Sequence, residues 1–270
     1  MAALSPLWVQ LYLFAPFATI LLWGGFTIGL IRLNRHGPRN GRIALVLTLP
    51  LLLLAHQQIW VTRGDLSIMG CYRAFGAGLL IWCWHELAFY SGVLTGPWRK
   101  PCPPEARGWQ RLWPALGTHM YHEIAVAIEL MLICTLLSQA GASNWLGPLV
   151  IGLSWALQHS AKLNVLLGVR YLQVELFPPH LAFLGSFWAK RPGNRFLLPS
   201  LLVTSGLAAW LWVQAATLDL NSGAIGAAML ATLTSLGVLE QLLLMLPAPA
   251  HTTSAARNAN AASPVERMPL

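Results

Sequence analysis

Charge is scarce in this chain. Only 10% of its 270 residues are Asp, Glu, Lys or Arg, against about 25% in a soluble domain. That scarcity excludes an ordinary soluble enzyme. Acidic residues are fewest, nine against 17 Lys and Arg, which gives a net charge of +8. The basic residues fall in short segments without a basic-aromatic face, so nucleic-acid binding is not expected. Cysteine is sparse too. Cys71, Cys83, Cys102 and Cys134 contain no close pair, which supports neither a disulfide framework nor a cysteine-type zinc motif. No GxSxG, P-loop or GxGxxG pattern stands in the right context for nucleophilic or nucleotide chemistry. No Lys or Arg precedes Arg32, so the first apolar run lacks a basic n-region and is expected to remain as a helix.

Apolar residues are abundant, at 56%. Apolar runs near 20 residues predict an all-α, polytopic membrane helix bundle whose main partner is the lipid bilayer. Seven spans can be drawn: Trp8–Leu30, Ile43–Val61, Ile68–Leu94, Ala115–Leu137, Trp145–Val169, Phe196–Ala216 and Ile225–Leu246. They form one transmembrane domain, 1–247, and the Ala-, Asn-, Ser- and Pro-rich tail 248–270 is expected to be disordered. Trp8, Trp60, Trp113 and Trp145 lie near span ends, as interfacial anchors do.

The basic residues set an orientation. Arg32, Arg35, Arg39 and Arg42 follow the first span, and Arg99, Lys100, Arg107 and Arg111 follow the third. Arg170, Lys190, Arg191 and Arg195 follow the fifth, and the tail holds Arg257 and Arg267. Only Arg63 lies in an opposite loop, with Arg73 and Lys162 inside spans. The positive-inside rule therefore predicts a periplasmic N-terminus and a cytoplasmic C-terminus in a bacterial inner membrane.

Several spans carry ionisable groups at a similar depth, reckoned at 1.5 Å per helical residue. His85 and Glu86 lie in the third span, His119, His122, Glu123 and Glu129 in the fourth, His159, Lys162 and Asn164 in the fifth, and Glu240 in the seventh. Left alone in lipid, each charged group would cost about 2–3 kcal/mol, so a shared buried cluster is expected. Lys162 with Glu123 or Glu240 is the natural compensating pair. Glu129 lies deeper and is a supporting candidate. Arg73 is expected to snorkel or to pair with Asp65, and the loop histidines His36 and His180 to be solvated.

Three readings of the cluster follow. It can be an interhelical network that fixes packing. It can be a metal site, with His119 and His122 at i, i+3 and His85, Glu86, His122 and Glu123 as candidate iron ligands. It can bind a tetrapyrrole through a histidine.

A resemblance narrows these. Trp82-Cys-Trp-His-Glu86, Ser91-Gly-Val-Leu-Thr-Gly-Pro97, Pro101-Cys-Pro-Pro104, His122-Glu123, Ser160-Ala-Lys-Leu-Asn164 and Leu239-Glu-Gln-Leu-Leu-Leu-Met-Leu-Pro247 together resemble the PuhE family of photosynthetic complex assembly proteins. The resemblance implies a multi-pass protein of the intracytoplasmic membrane. It implies a part in assembling the reaction centre–light-harvesting complex and in balancing bacteriochlorophyll supply, with reaction-centre or light-harvesting subunits and other assembly factors as partners. It implies no established catalytic activity. Where that family has His after the last-span glutamate, this chain has Gln241, so a shared metal site there is not expected. The alternatives are a metal-dependent oxidoreductase acting on a pigment or carotenoid, and a purely structural scaffold.

Overall fold

The structure, a computed structural model, describes residues 6–172, 174, 177–218 and 222–246. The tail 248–270 lies outside them. Among them ten α-helices follow one another: α1 (Pro6–Val9), α2 (Ala15–Asn34), α3 (Pro38–Leu47), α4 (Leu49–Val61), α5 (Ile68–Tyr90), α6 (Trp109–Gly117), α7 (Met120–Gln139), α8 (Leu146–Leu167), α9 (Leu197–Thr217) and α10 (Ser222–Leu243). A π-helical stretch, Gln10–Phe14, joins α1 to α2, and a 3₁₀ segment, Pro179–Phe187, lies between α8 and α9. Among the described residues there is no strand, only a single bridge between Val169 and Lys190.

Among the described residues, four helical segments are long and apolar enough to cross a membrane: Gln10–Asn34, Met120–Gln139, Leu197–Thr217 and Gly223–Leu243. A fifth is added if α3 and α4, bent by 48°, count as one broken span. The break has a chemical cause. Pro50 has no N–H to offer the carbonyl four residues earlier, so the helix ends at Thr48 and restarts. The long helices α5 and α8 are not among the four. Arg73, His85 and Glu86 dilute the first, and Gln158, His159 and Lys162 the second.

Those two polar helices stand at the centre. The α5 helix packs against α2, α3, α4, α7, α8 and α10, and fourteen of its residues are buried, from Gly70 to Phe89. The α10 helix is the other inner element, with 67% of its apolar window buried against 11% for the outer Gln10–Asn34 segment. Small residues let the inner helices close up. A Cβ on Gly78 of α5 would run into the backbone carbonyl of Gly147 on α8, the kind of close crossing that small residues allow between membrane helices.

The fourth span differs most from its expectation. A continuous helix from Ala115 gives way to two helices, because Pro114 sits inside α6 and the chain turns at Thr118–His119. The α7 helix therefore starts at Met120, and the loop after α5 folds back to complete it. The Thr95 carbonyl accepts the amides of Tyr121 at 3.0 Å and His122 at 3.1 Å, two donors that no helical turn could satisfy. Trp98 N–H donates to the Gly117 carbonyl at 3.0 Å, and only glycine at 96 allows this approach, since a Cβ there would strike the same carbonyl. The third span also stops earlier than expected, at Tyr90, with Gly92 in a left-handed turn (φ 72°).

Candidate functional site

The site grows from Glu123, in the first turn of α7, where a helix N-terminus favours a carboxylate. Its oxygens accept the Trp155 indole N–H at 2.6 Å and the Lys162 ammonium at 3.0 Å. The Nε2 of His159 stands 3.0 Å away, and His122 Nδ1 and His119 Nε2 approach to 3.5 and 3.9 Å. Trp155, His159 and Lys162 sit at i, i+4 and i+7 of α8, one stripe of that helix. Lys162 pairs with Glu123, and its Nζ also lies 5.4 Å from the centre of the Phe89 ring.

His122 is wholly buried between α5 and α7. Its Nε2 is 3.3 Å from Glu86 Oε1, yet neither ring nitrogen is aligned for a hydrogen bond. The rings of Trp82, His85 and Phe89 surround it at 6.1, 6.0 and 5.4 Å between centroids. Glu86 accepts the Gln158 side-chain amide at 2.6 Å through its other oxygen.

Glu129 corrects its supporting rank. One carboxylate oxygen lies 2.7 Å from His56 Nε2 and the other 2.5 Å from His85 Nε2, so it joins α4, α5 and α7. His56 Nδ1 in turn donates to the Leu52 carbonyl at 2.9 Å. A carbonyl can only accept, so Nδ1 carries a hydrogen. The short contact on the other side then holds one more proton, shared between His56 and Glu129. His159 repeats this pattern, with Nδ1 donating to the Trp155 carbonyl at 3.0 Å and Nε2 facing Glu123.

Thus His85, Glu86, His119, His122, Glu123, His159 and Lys162 come together. Asn164 and Glu240 do not join them by hydrogen bonds. Asn164 belongs to a second network, donating to Ser200 Oγ at 2.9 Å and receiving the Asn194 amide at 3.2 Å. Ser200 donates to Gln241 Oε1 at 3.0 Å, and Gln241 donates to Ser160 Oγ and Thr204 Oγ1 at 3.3 and 3.2 Å. This buried amide–hydroxyl mesh ties α8, α9 and α10. Glu240 instead lines a cavity with Glu86 and Tyr90, and among the described residues it makes no ion pair.

Sequence reasoning missed the parts of His56, Trp155, Gln158 and Gln241. A signal existed for the first, because His56-Gln57-Gln58 is a polar triplet inside a Leu-rich span. Two lesser expectations are also corrected. Arg73 donates to the Gln58 side chain at 2.8 Å rather than pairing with Asp65. His180 is held by the Tyr90 carbonyl at 2.8 Å rather than left in solvent. Asp65, in the turn before α5, accepts the Ser67 amide at 2.9 Å; its hydrogen bonds from Ser67 hold the carboxyl below the usual range.

Each of the two expected cofactors makes its own demand on this donor set. For iron, no three of the described His, Cys, Asp and Glu side chains are placed to hold a metal ion. His119 and His122 each turn one nitrogen toward Glu123 Oε1 and the other toward the Thr118 hydroxyl and Glu86, so the i, i+3 pair meets carboxylates and a hydroxyl and not a shared metal position. For a tetrapyrrole, the chemistry of an uncommitted imidazole nitrogen is present at His85 Nδ1 and at His122, but the space is not. The cavity bordering Glu86 holds about 160 Å³, below the ~300–1,000 Å³ of ligand pockets for drug-sized molecules. A larger groove of about 350 Å³ runs past His56 and Gln57, where both His56 nitrogens are already engaged. A macrocycle does not fit the cluster as it stands.

Apolar helices of membrane length around a buried ionisable core define a helical membrane protein. The chain belongs to the DUF3623 family, described as a protein of unknown function, whose model matches residues 9–255. It is 33% identical over 236 residues to an "Uncharacterized 30.4 kDa protein in puhA 5'region" of Rhodobacter capsulatus, covering 86% of this chain and 85% of that protein. No solved structure matches the chain.

Proposed function

We propose that this protein is a multi-pass assembly factor of the photosynthetic membrane, a PuhE-type protein that acts as a scaffold for the reaction centre–light-harvesting complex. The relative from the puhA 5′ region supports the setting. The observation that carries the mode of action is the Glu123 hub, a carboxylate met by Trp155, Lys162 and His159 at once. A group so fully engaged is suited to locking α7 onto α8, not to turning over a substrate.

In this reading the chain crosses the bacterial inner membrane seven times. Helices α3 and α4 form one span, and α5 and α8 cross inside the bundle where neighbours shield their polar residues. The N-terminus is periplasmic, and the basic loops are cytoplasmic. Two of those loops form one surface. Cys102 N–H donates to Ser186 Oγ at 2.8 Å, and the Arg111 guanidinium donates to the Phe187 carbonyl. Arg99, Lys100 and Arg191 are exposed beside this junction and offer charge to partner subunits.

The test uses the full-length protein, tagged and purified in mild detergent from phototrophically grown cells. Reaction-centre or light-harvesting subunits should co-purify with it, and Arg99→Glu, Lys100→Glu and Arg191→Glu together should release them without lowering its amount. Normal complex assembly in cells lacking the gene, with no subunits co-purifying, would overturn the reading.

A further inference from the structure

The cavity of about 160 Å³ among α2, α5, α8 and α10 is not used by the scaffold role. Its walls combine two features. Trp23, Phe26, Trp82 and Tyr90 supply aromatic surface, and Glu86, Gln158, Ser154 and Glu240 supply oxygen atoms. Several of those oxygens are buried without a partner: Ser154 Oγ, Gln158 Oε1 and Glu86 Oε1. Ser154 and Glu86 are themselves more than nine-tenths buried. What the cavity lacks is a cationic donor.

Charge accounting leads the same way. Among the described residues the helices carry four carboxylates: Glu86, Glu123 and Glu129 within the bundle, and Glu240, which is exposed where it lines the cavity. Glu129 shares a proton with His56, and that pair is neutral wherever the proton sits. Glu123 takes Lys162. Glu86 and Glu240 remain. Among the described residues neither has Lys or Arg within ion-pair distance, and Glu86 meets only the neutral amide of Gln158 and the misaligned His122. Both border this cavity. A buried, uncompensated carboxylate such as Glu86 is costly, and a cation that fits the cavity, with Glu240 beside it, relieves that cost.

We propose that this cavity binds a small organic ammonium cation, free or as the head group of a membrane lipid. An ammonium supplies charged N–H donors, and its carbon substituents are attracted to aromatic walls. A bare metal ion matches less well, since the described acidic side chains do not converge to ligate one.

Full-length protein in detergent is titrated with ethanolamine, choline and ethylammonium chlorides, with sodium chloride at equal ionic strength as the control. Fluorescence is followed because Trp23 and Trp82 line the cavity. A saturable change with at least one ammonium, absent with sodium, is expected. Glu240→Gln should weaken it about 10- to 100-fold, the value of one charge-assisted hydrogen bond. The Glu240 side chain makes no hydrogen bond or ion pair among the described residues, so this variant should keep its helicity; Trp23→Leu is the second variant and should also weaken binding. Nanodiscs of phosphatidylglycerol, with and without phosphatidylethanolamine, separate the sources. A response to free ethanolamine identifies a soluble amine, and a response only to the ethanolamine lipid identifies a head group. A response no different from sodium in detergent and in both nanodiscs, or unchanged binding in Glu240→Gln, overturns the proposal.

Discussion

Replacing Glu123 by Gln tests whether the hub holds the bundle together. The substitution keeps the shape of the side chain but removes the charge that faces Lys162 at 3.0 Å and His159 at 3.0 Å. Breaking a buried pair by deleting one partner costs about 3–5 kcal/mol, because the remaining charge is left uncompensated. Lys162 keeps 27% of its side-chain surface accessible, so the lower end, about 3 kcal/mol, applies. At about 2–4 °C per kcal/mol for a chain of this size, thermal unfolding in detergent should occur about 6–12 °C lower. The decisive variant is the double substitution Glu123→Gln with Lys162→Met, which removes the stranded cation and should recover most of the loss. A single variant within about 0.5 kcal/mol of the parent would refute the reasoning. So would a double variant no more stable than the single.

Gln241→Leu should destabilise by about 1–3 kcal/mol, since Ser160, Ser200 and Thr204 lose their shared partner; chemical unfolding against the parent measures it. Gly78→Ala should cost about 1–3 kcal/mol or lower the folded yield, because its Cβ meets the Gly147 carbonyl; size-exclusion recovery and unfolding check it. For Asp65 the folded carboxyl titrates below its unfolded value. Its contribution is therefore present above the ordinary carboxylate range and is lost as pH falls through the lower folded value. The stability difference between the parent and Asp65→Asn should accordingly shrink on acidification.

Much of this was legible because membrane proteins expose their economy in sequence. Ionisable residues stand out against Leu-rich runs, and the grouping of His85, Glu86, His122, Glu123 and Lys162 followed from depth alone. Depth carries no azimuth, and there the reading failed. Successive residues turn about 100° around a helix. Lys162 and Asn164 share a depth but point to different networks, one to Glu123 and the other to Ser200. Glu240 and Gln241 are adjacent, yet one lines the cavity and the other lies in the amide mesh. Glu129 was undervalued because its importance comes from His56 on α4, a contact 73 residues away in the chain. The start of α7 was misplaced because hydropathy runs smoothly across Pro114 and Gly117, whereas backbone hydrogen bonding does not.

The fastening of α7 by the Thr95 carbonyl has a mechanical consequence. The two amides it receives belong to Tyr121 and His122, immediately before Glu123. Any force that drew residues 95–98 away would release the first turn of α7 and swing the hub carboxylate off Lys162. The loop is thus a latch whose bolt is the polar core. A subunit seated on the outer face of that loop and the grip between α7 and α8 would be felt by each other, with no helix needing to slide.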